Sequence, residues 1–252
     1  MTETFDPRAL AAGLHSLRLA GTQEETGSFM LPPDLDQAVK AQNFLAAADR
    51  ISSDAWKVTV SPQGQAVAAP LHPYVEAVSG ASIPWHPGLK FETEIAVRLG
   101  KDLPIRTSTP YSRAEVTEAV SAAYLGAELL VSAVKESGSI SFLLFLADRL
   151  GNRGYVLGPE IDKSAVDTAG GTPLEVTHAG RTIYDGPAEH PKGDVLTWLV
   201  DYANDGLRSE TSLKAGALIT TGTLSGAVEL TEPGEIDILF GDVRLGFSVS
   251  KG

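Results

Sequence analysis

The 252-residue chain contains no cysteine. Disulfides, thiolate metal sites and cysteine nucleophiles are excluded, and any metal must take oxygen or histidine ligands. Basic charge is scarce. Lys and Arg number 20 against 32 Asp and Glu, a formal net charge of −12. Without a basic stripe to neutralise phosphates, the chain is not expected to bind nucleic acid. Long apolar runs are also missing. The longest, FLLFLA at 142–147, falls far short of a membrane span. The opening MTETFDPRAL has no basic stretch followed by an apolar core, so no signal peptide is expected and a cytoplasmic location is. His15, His72, His86, His178 and His190 lie in separate segments without ligand spacing or a Ser-plus-Asp arrangement, which leaves a hydrolytic triad unsupported. No phosphate loop or dinucleotide fingerprint is present, since GNRGYVLG has its glycines in the wrong order.

What is present is an α+β pattern. Residues 6–20 and 34–50 read as helices, the second with Leu35, Val39, Gln42 and Leu45 on one face and Asp34 as its cap. From Trp56 the texture changes to strands and turns. This places a small helical N-terminal cap at 1–55 and a β-rich, mixed-sheet core at 56–252. Ser112 and Glu115 form a capping box that opens a helix with Val116, Ala119, Val120 and Ala123 as its stripe and Gly126 as a stop. AELLVSAV beyond it suits a continued helix or a buried strand. SFLLFLA, GYVLG, TPLEVTHAGRTIY, ALITTGTL, AVELT, EIDILF and GFSVS read as strands, with THAGRT as a hairpin turn. One helix interrupts them, KGDVLTWLVDYANDG, with Leu196, Leu199, Val200 and Ala203 on one face and Gly206 as its C-cap.

The segment GLKFETEIAVRLGKDLP, 88–104, alternates with period two, as a strand with one buried face does. Glu92 and Glu94 then point the same way. Two neighbouring carboxylates are tolerated when water screens them, as on a solvated face, or when a cation lies between them. With Glu128 they could form an oxygen-only site for a hard divalent ion. Lys57 follows Trp56 on a short apolar strand. It reads as an edge-strand lysine that blocks aggregation, or as an electrophile or proton donor if its surroundings lower its pKa. ITTGTLSG, 219–226, reads as a tight turn, or as amides and hydroxyls that hold a carboxylate.

Taken in order, these segments resemble the fumarylacetoacetate hydrolase superfamily, in its branch of 2-oxopent-4-enoate hydratases and 4-oxalocrotonate decarboxylases. The likeness runs through Gln42 in VKAQNFL, WKVTV, FETEIAVRLGKDLP, GAELLVSA, FLADRLGNRGYVLG, EHPKGDVLTWL and LKAGALITTGTLSG. FETEIAVRLGKDLP is the most specific piece.

The resemblance implies Mg²⁺ or Mn²⁺ held by Glu92, Glu94 and Glu128, and a 2-oxo or 2-enol acid chelated through its carboxylate and 2-oxygen. Lys57 would assist proton transfer, and Gly222 and Thr223 would hold the substrate carboxylate. The activity implied is that of a lyase, a hydratase of a 2-oxo or 2-hydroxy-dienoic acid. The alternatives are a decarboxylase, a C–C hydrolase using a histidine–carboxylate pair with His15 as candidate, or a non-catalytic partner subunit. A homo-oligomer is expected, and association with a related lyase is a further expectation. The chain departs from the family pattern where an Asp-Ser-Arg becomes Val131, Ser132, Ala133, where Asn becomes Arg149, and where a common Asp becomes Leu71. A more apolar pocket for the far end of the substrate is expected from Val131 and Ala133.

Overall fold

Asp6 begins the first helix by accepting a hydrogen bond from the Arg8 amide, and Pro7 supplies a φ suited to the first turn. The computed structural model describes residues 4–52, 54–77, 81–135 and 140–251. In chain order its elements are α1 (Pro7–Ala20), α2 (Leu35–Ala48), β1 (Ala55–Val60), β2 (Ala66–Pro70), β3 (Tyr74–Glu76), β4 (Ser82–Trp85) and β5 (Lys90–Leu99). Then follow α3 (Arg113–Ala119), β6 (Val120–Leu130), α4 (Phe142–Ala147), β7 (Asn152–Ile161), α5 (Ala165–Thr168), β8 (Pro173–His178) and β9 (Arg181–Pro187). The chain closes with α6 (Thr197–Ala203), β10 (Leu218–Thr223), β11 (Val228–Glu229), β12 (Gly234–Phe240) and β13 (Val243–Lys251).

The larger sheet has strand order β2-β1-β10-β5-β6-β7-β3, with β11 beside β5. Its β1–β10 and β3–β7 pairs are parallel and the other pairs antiparallel. A second sheet, β4-β13-β12-β8-β9, packs on one face of the first. Phe91, Ile95, Leu125 and Leu129 meet Ile83, Leu245 and Phe247 there, with the Phe91 and Phe247 rings 6.5 Å apart. This is the α+β architecture expected, with the helical pair α1–α2 as its cap. The cap is not isolated. Leu10 and Leu14 of α1 and Ala41 and Leu45 of α2 share a cluster with Ala133, Val134, Leu144 and Ala147. Gln42 donates to the Leu146 carbonyl at 2.8 Å.

Several local expectations are corrected. The helix opened by the Ser112–Glu115 box ends at Ala119, and residues 120–130 are strand β6. Both edges of β6 are paired, with β5 on one side and β7 on the other, and that pairing overrides the helix preference of its alanines and leucines. SFLLFLA forms the short helix α4. Its apolar residues serve two clusters, Leu144 and Ala147 under the cap and Leu146 against Val67 and Ala69, so no helical stripe is visible in the sequence. Helix α6 ends on Asn204 rather than Gly206, and the Asn204 side chain bonds both backbone groups of Tyr111. Val39 of α2 is exposed, and Ala38 and Ala41 take the inward face instead. The expected strand at AVELT shrinks to the two residues of β11. The hairpin is as read, with Ala179 and Gly180 both at positive φ in its two-residue turn.

Candidate metal centre

Strand β5 places Glu92 and Glu94 on the face turned away from the second sheet, and the β5–β6 register sets Glu128 directly opposite Glu92. Cross-strand neighbours of this kind have Cβ atoms about 5 Å apart. Ligand oxygens of Glu92, Glu94 and Glu128 accordingly lie within 4.8 Å of one another. The structure differs from a simple one-faced strand at this point. Glu94 and Ala96 are buried although they lie on the nominally polar side, because β5 is covered on both faces at its middle. Glu128 is likewise fully buried within β6.

Lys57 enters from β1. Its Nζ lies 2.7 Å from Glu128 Oε2 and 4.0 Å from Glu92 Oε2. Burial works to lower the lysine pKa, but Glu128, Glu92 and Glu94 together outweigh it and push the pKa up. The condition of a lowered pKa is not met, and β1 lies between β2 and β10, so Lys57 is not on an edge strand either; without a bound cation it stays protonated. Burial raises the Glu94 carboxyl well above its ordinary range, and the charges of Glu128 and Glu92 raise it further. Burial also raises Glu128, against the pull of Lys57. Lys57 neutralises one of three carboxylates, which leaves two negative charges when all are ionised. The Glu94 Oε1 atom is buried without a hydrogen-bond partner. An oxygen-only donor set, an excess of two charges and an unpaired buried acceptor all fit a hard divalent cation.

Two side chains not singled out from the sequence hold the carboxylates. Asn152 donates through Nδ2 to Glu128 Oε1 at 2.9 Å, and the Thr220 hydroxyl donates to Glu94 Oε2. Thr220 was within reach of strand parity, since it sits two residues before Gly222. Asn152 lies in GNRGYVLG, where no local spacing marks an amide that will meet Glu128.

The cluster borders a cavity of about 320 Å³, lined among others by Lys57, Glu92, Glu94, Gly222, Thr223 and Trp198. The β10–β5 pairing slips between Thr220 and Thr223, a bulge of the kind that re-aims a strand beside a site. Gly222 has φ +112°, and a Cβ there would stand 2.2 Å from Trp198 Cζ3, so only glycine fits. The apolar wall comes from Leu130, Val131, Phe142, Phe145 and Leu150. Val131 lines the cavity as expected. Ala133 does not: it is buried under the cap helices, and its amide donates to Asp148. Leu71 is buried in a small cluster with Tyr155 and Ala96. A histidine–carboxylate pair exists, with His15 Nδ1 2.6 Å from Asp49 Oδ1, but neither residue lines this cavity.

Among the described residues, no helix is long and apolar enough to cross a membrane. No curated protein matches the chain. Solved structures do, over 78% to 99% of its length. The 4-oxalocrotonate decarboxylase from Pseudomonas putida G7, complexed with magnesium and adipate, superposes with a TM-score of 0.79 at 17% identity, covering 99% of this chain and 100% of that one. The maleylpyruvate hydrolase from Sphingobium sp. SYK-6, in complex with manganese(II) and pyruvate, gives 0.51 at 16% identity, over 79% and 69%. The 2-hydroxyhepta-2,4-diene-1,7-dioate isomerase from Mycobacterium marinum gives 0.54 at 18%, over 78% and 74%. At these identities the likeness establishes the fold. The sequence profile of the fumarylacetoacetate (FAA) hydrolase C-terminal region matches residues 41–244, which take in all of the carboxylate cluster, Lys57 and the β10 turn. By that match the chain belongs to the fumarylacetoacetate hydrolase family.

Proposed function

We propose that this chain is a metal-dependent lyase acting on a 2-oxo acid, with Mg²⁺ or Mn²⁺ held by Glu92, Glu94 and Glu128. The observation that carries the reading is the under-neutralised carboxylate cluster beside Lys57 at the border of a cavity whose remaining wall is largely apolar. Relatives of the same fold bound to magnesium and adipate, and to manganese(II) and pyruvate, support the metals and the acid ligand. Held by Glu92, Glu94 and Glu128, an ion would supply positive charge that stabilises the negative charge developing on the oxygens of the substrate.

The chain's own residues do the rest. Gly222 and Thr223, on the β10 bulge, bind the substrate carboxylate. Lys57, kept protonated by Glu128, gives its proton to the carbon that receives electrons. Phe142, Phe145 and Leu150 exclude water from that carbon.

Decarboxylation needs no more than this. The C–C bond to a distal carboxylate breaks, its electron pair enters the conjugated 2-oxo system, CO₂ leaves, and Lys57 protonates the carbon. An apolar wall favours the step, because a carboxylate is less stable there than CO₂. Hydration of a dienoic acid also needs a group to deliver water. The hydroxyl of Thr59, a residue that lines the cavity, supports that as the second reading. We further propose the cap at 1–55 and the core at 56–252 as the two parts of the chain, and a homo-oligomer as its assembled form.

The test is product analysis with Mg²⁺ present, offering an unsaturated 2-oxo diacid and 2-hydroxypenta-2,4-dienoate in parallel. Release of CO₂ from the diacid, reduced about 10²- to 10⁴-fold in Lys57→Met with metal binding retained, is the expected result. Hydration of the dienoate instead would select the second reading. No turnover of either would reject both.

A further inference from the structure

Among the described residues, Tyr155 of β7 is the largest side chain that is fully buried, and nothing in the proposed chemistry uses it. Its ring crosses β6 on the face that carries the carboxylates. A Cβ added to Gly126 would stand 2.0 Å from the Tyr155 hydroxyl and 2.7 Å from Cζ. Gly126 is the residue paired directly with Glu94. The hydroxyl therefore fills the place of a side chain directly across from Glu94, within about one cross-strand spacing. It faces Thr220, whose own hydroxyl donates to Glu94 Oε2. Two polar atoms in this dry space lack hydrogen-bond partners, the Tyr155 hydroxyl and Glu94 Oε1. One is a donor and the other an acceptor. Burying either without a partner costs on the order of 1–3 kcal/mol, so the presence of both at one site calls for a use.

We propose that Tyr155 is a positioning residue for the metal ligand Glu94, its hydroxyl serving the free carboxylate oxygen while Thr220 holds the other. Each carboxylate oxygen keeps a further lone pair for a cation. Two hydroxyls on opposite strands then hold the plane of the Glu94 carboxylate toward Glu92 and Glu128. Gly126 is glycine because the phenol end of Tyr155 occupies the place of its side chain, and it lies there to bring the hydroxyl to Glu94. This inference rests on the metal site proposed above.

The experiment is titration calorimetry of Mg²⁺ and of Mn²⁺ alone into the metal-free protein, as wild type, Tyr155→Phe and Tyr155→Leu. Phe keeps the packing and removes only the hydroxyl. Tyr155→Phe should weaken metal binding about tenfold to a hundredfold, as losing a ligand-orienting hydrogen bond does. Its metal-free melting temperature should be unchanged or raised, because an unpaired buried hydroxyl is gone. Tyr155→Leu should lose affinity and stability together. Wild-type affinity in Tyr155→Phe, with the wild type binding metal, would overturn the role of Tyr155 and leave the metal site standing. A wild type that binds neither ion would overturn the metal site and this inference with it.

Discussion

Two buried charged clusters lie on either side of Asn152, and they are built on opposite principles. At the junction of cap and core, Arg18 Nη1 lies 2.6 Å from Asp148 Oδ1. The other Asp148 oxygen accepts the Ser132 hydroxyl at 2.8 Å and the Ala133 amide at 2.7 Å. Asp49 meets Arg149 at 3.0 Å through one oxygen and His15 at 2.6 Å through the other. Every carboxylate oxygen there has a partner. In the Glu92–Glu94–Glu128 cluster one ammonium serves three carboxylates, and a buried oxygen of Glu94 has none. Asn152 joins the two, its carbonyl accepting from Arg18 and its amide donating to Glu128. At the junction the buried atoms left over are donors, Arg18 Nε and Arg149 Nε; at the glutamate cluster the atom left over is the acceptor Glu94 Oε1, which is what a cation site needs.

The sharpest way to break the contrast is Asp148→Ala, which strands Arg18 in the interior. Removing one partner of a buried pair costs roughly 3–5 kcal/mol. At about 2–4 °C per kcal/mol for a chain of this size, the melting temperature should fall on the order of 10 °C. A change of a degree or two in a thermal melt would mean that the junction is not what holds the cap.

Glu92→Gln and Glu94→Gln should act in the opposite sense. Tight Mg²⁺ or Mn²⁺ binding is lost while the metal-free fold is kept or slightly stabilised, because like charges no longer face each other. Calorimetry that finds unchanged affinity in both variants would remove the metal reading.

A smaller effect tests the cavity wall. With Mg²⁺ present, a 2-oxo acid carrying an uncharged apolar tail should bind about tenfold more tightly than an oxo-diacid of equal length, a difference of about 1.4 kcal/mol. Tighter binding of the diacid would mean that Lys90, which also lines the cavity, supplies the charge that Val131 does not.

The smallest effect is in pH. Glu94 and Glu128 have raised pKa values in the folded chain. Between their ordinary value near 4.5 and the raised folded values, the unfolded chain has released protons that the folded chain keeps. The stability these groups contribute is therefore full below 4.5 and is lost as pH rises through the folded values. Lys57, also raised, loses its contribution only above its ordinary 10.5 and does not disturb this window. The difference in melting temperature between Glu94→Gln and wild type, in chelator, should widen from pH 5 to pH 8. Parallel curves would place Glu94 in water.

The sequence by itself determined whatever depends on near neighbours. Period two put Glu92 and Glu94 on one face, Ser112 and Glu115 closed their capping box, and Ala179-Gly180 made the hairpin turn. These are set by backbone geometry within a few residues. The ordered likeness to a known family carried Lys57, Glu128, Gly222 and Thr223 to the same place before any of their distances were known. Only the tertiary structure decided the rest. Whether Glu128 lay on a helix or a strand turned on β5 and β7 offering hydrogen bonds to both edges of β6. Whether FLLFLA coiled turned on the cap and β2 drawing its residues to different sides. Lys57 is held protonated because strands distant in sequence bring three carboxylates to it in a dry place, and no local pattern encodes a field made by residues 35 to 71 positions away.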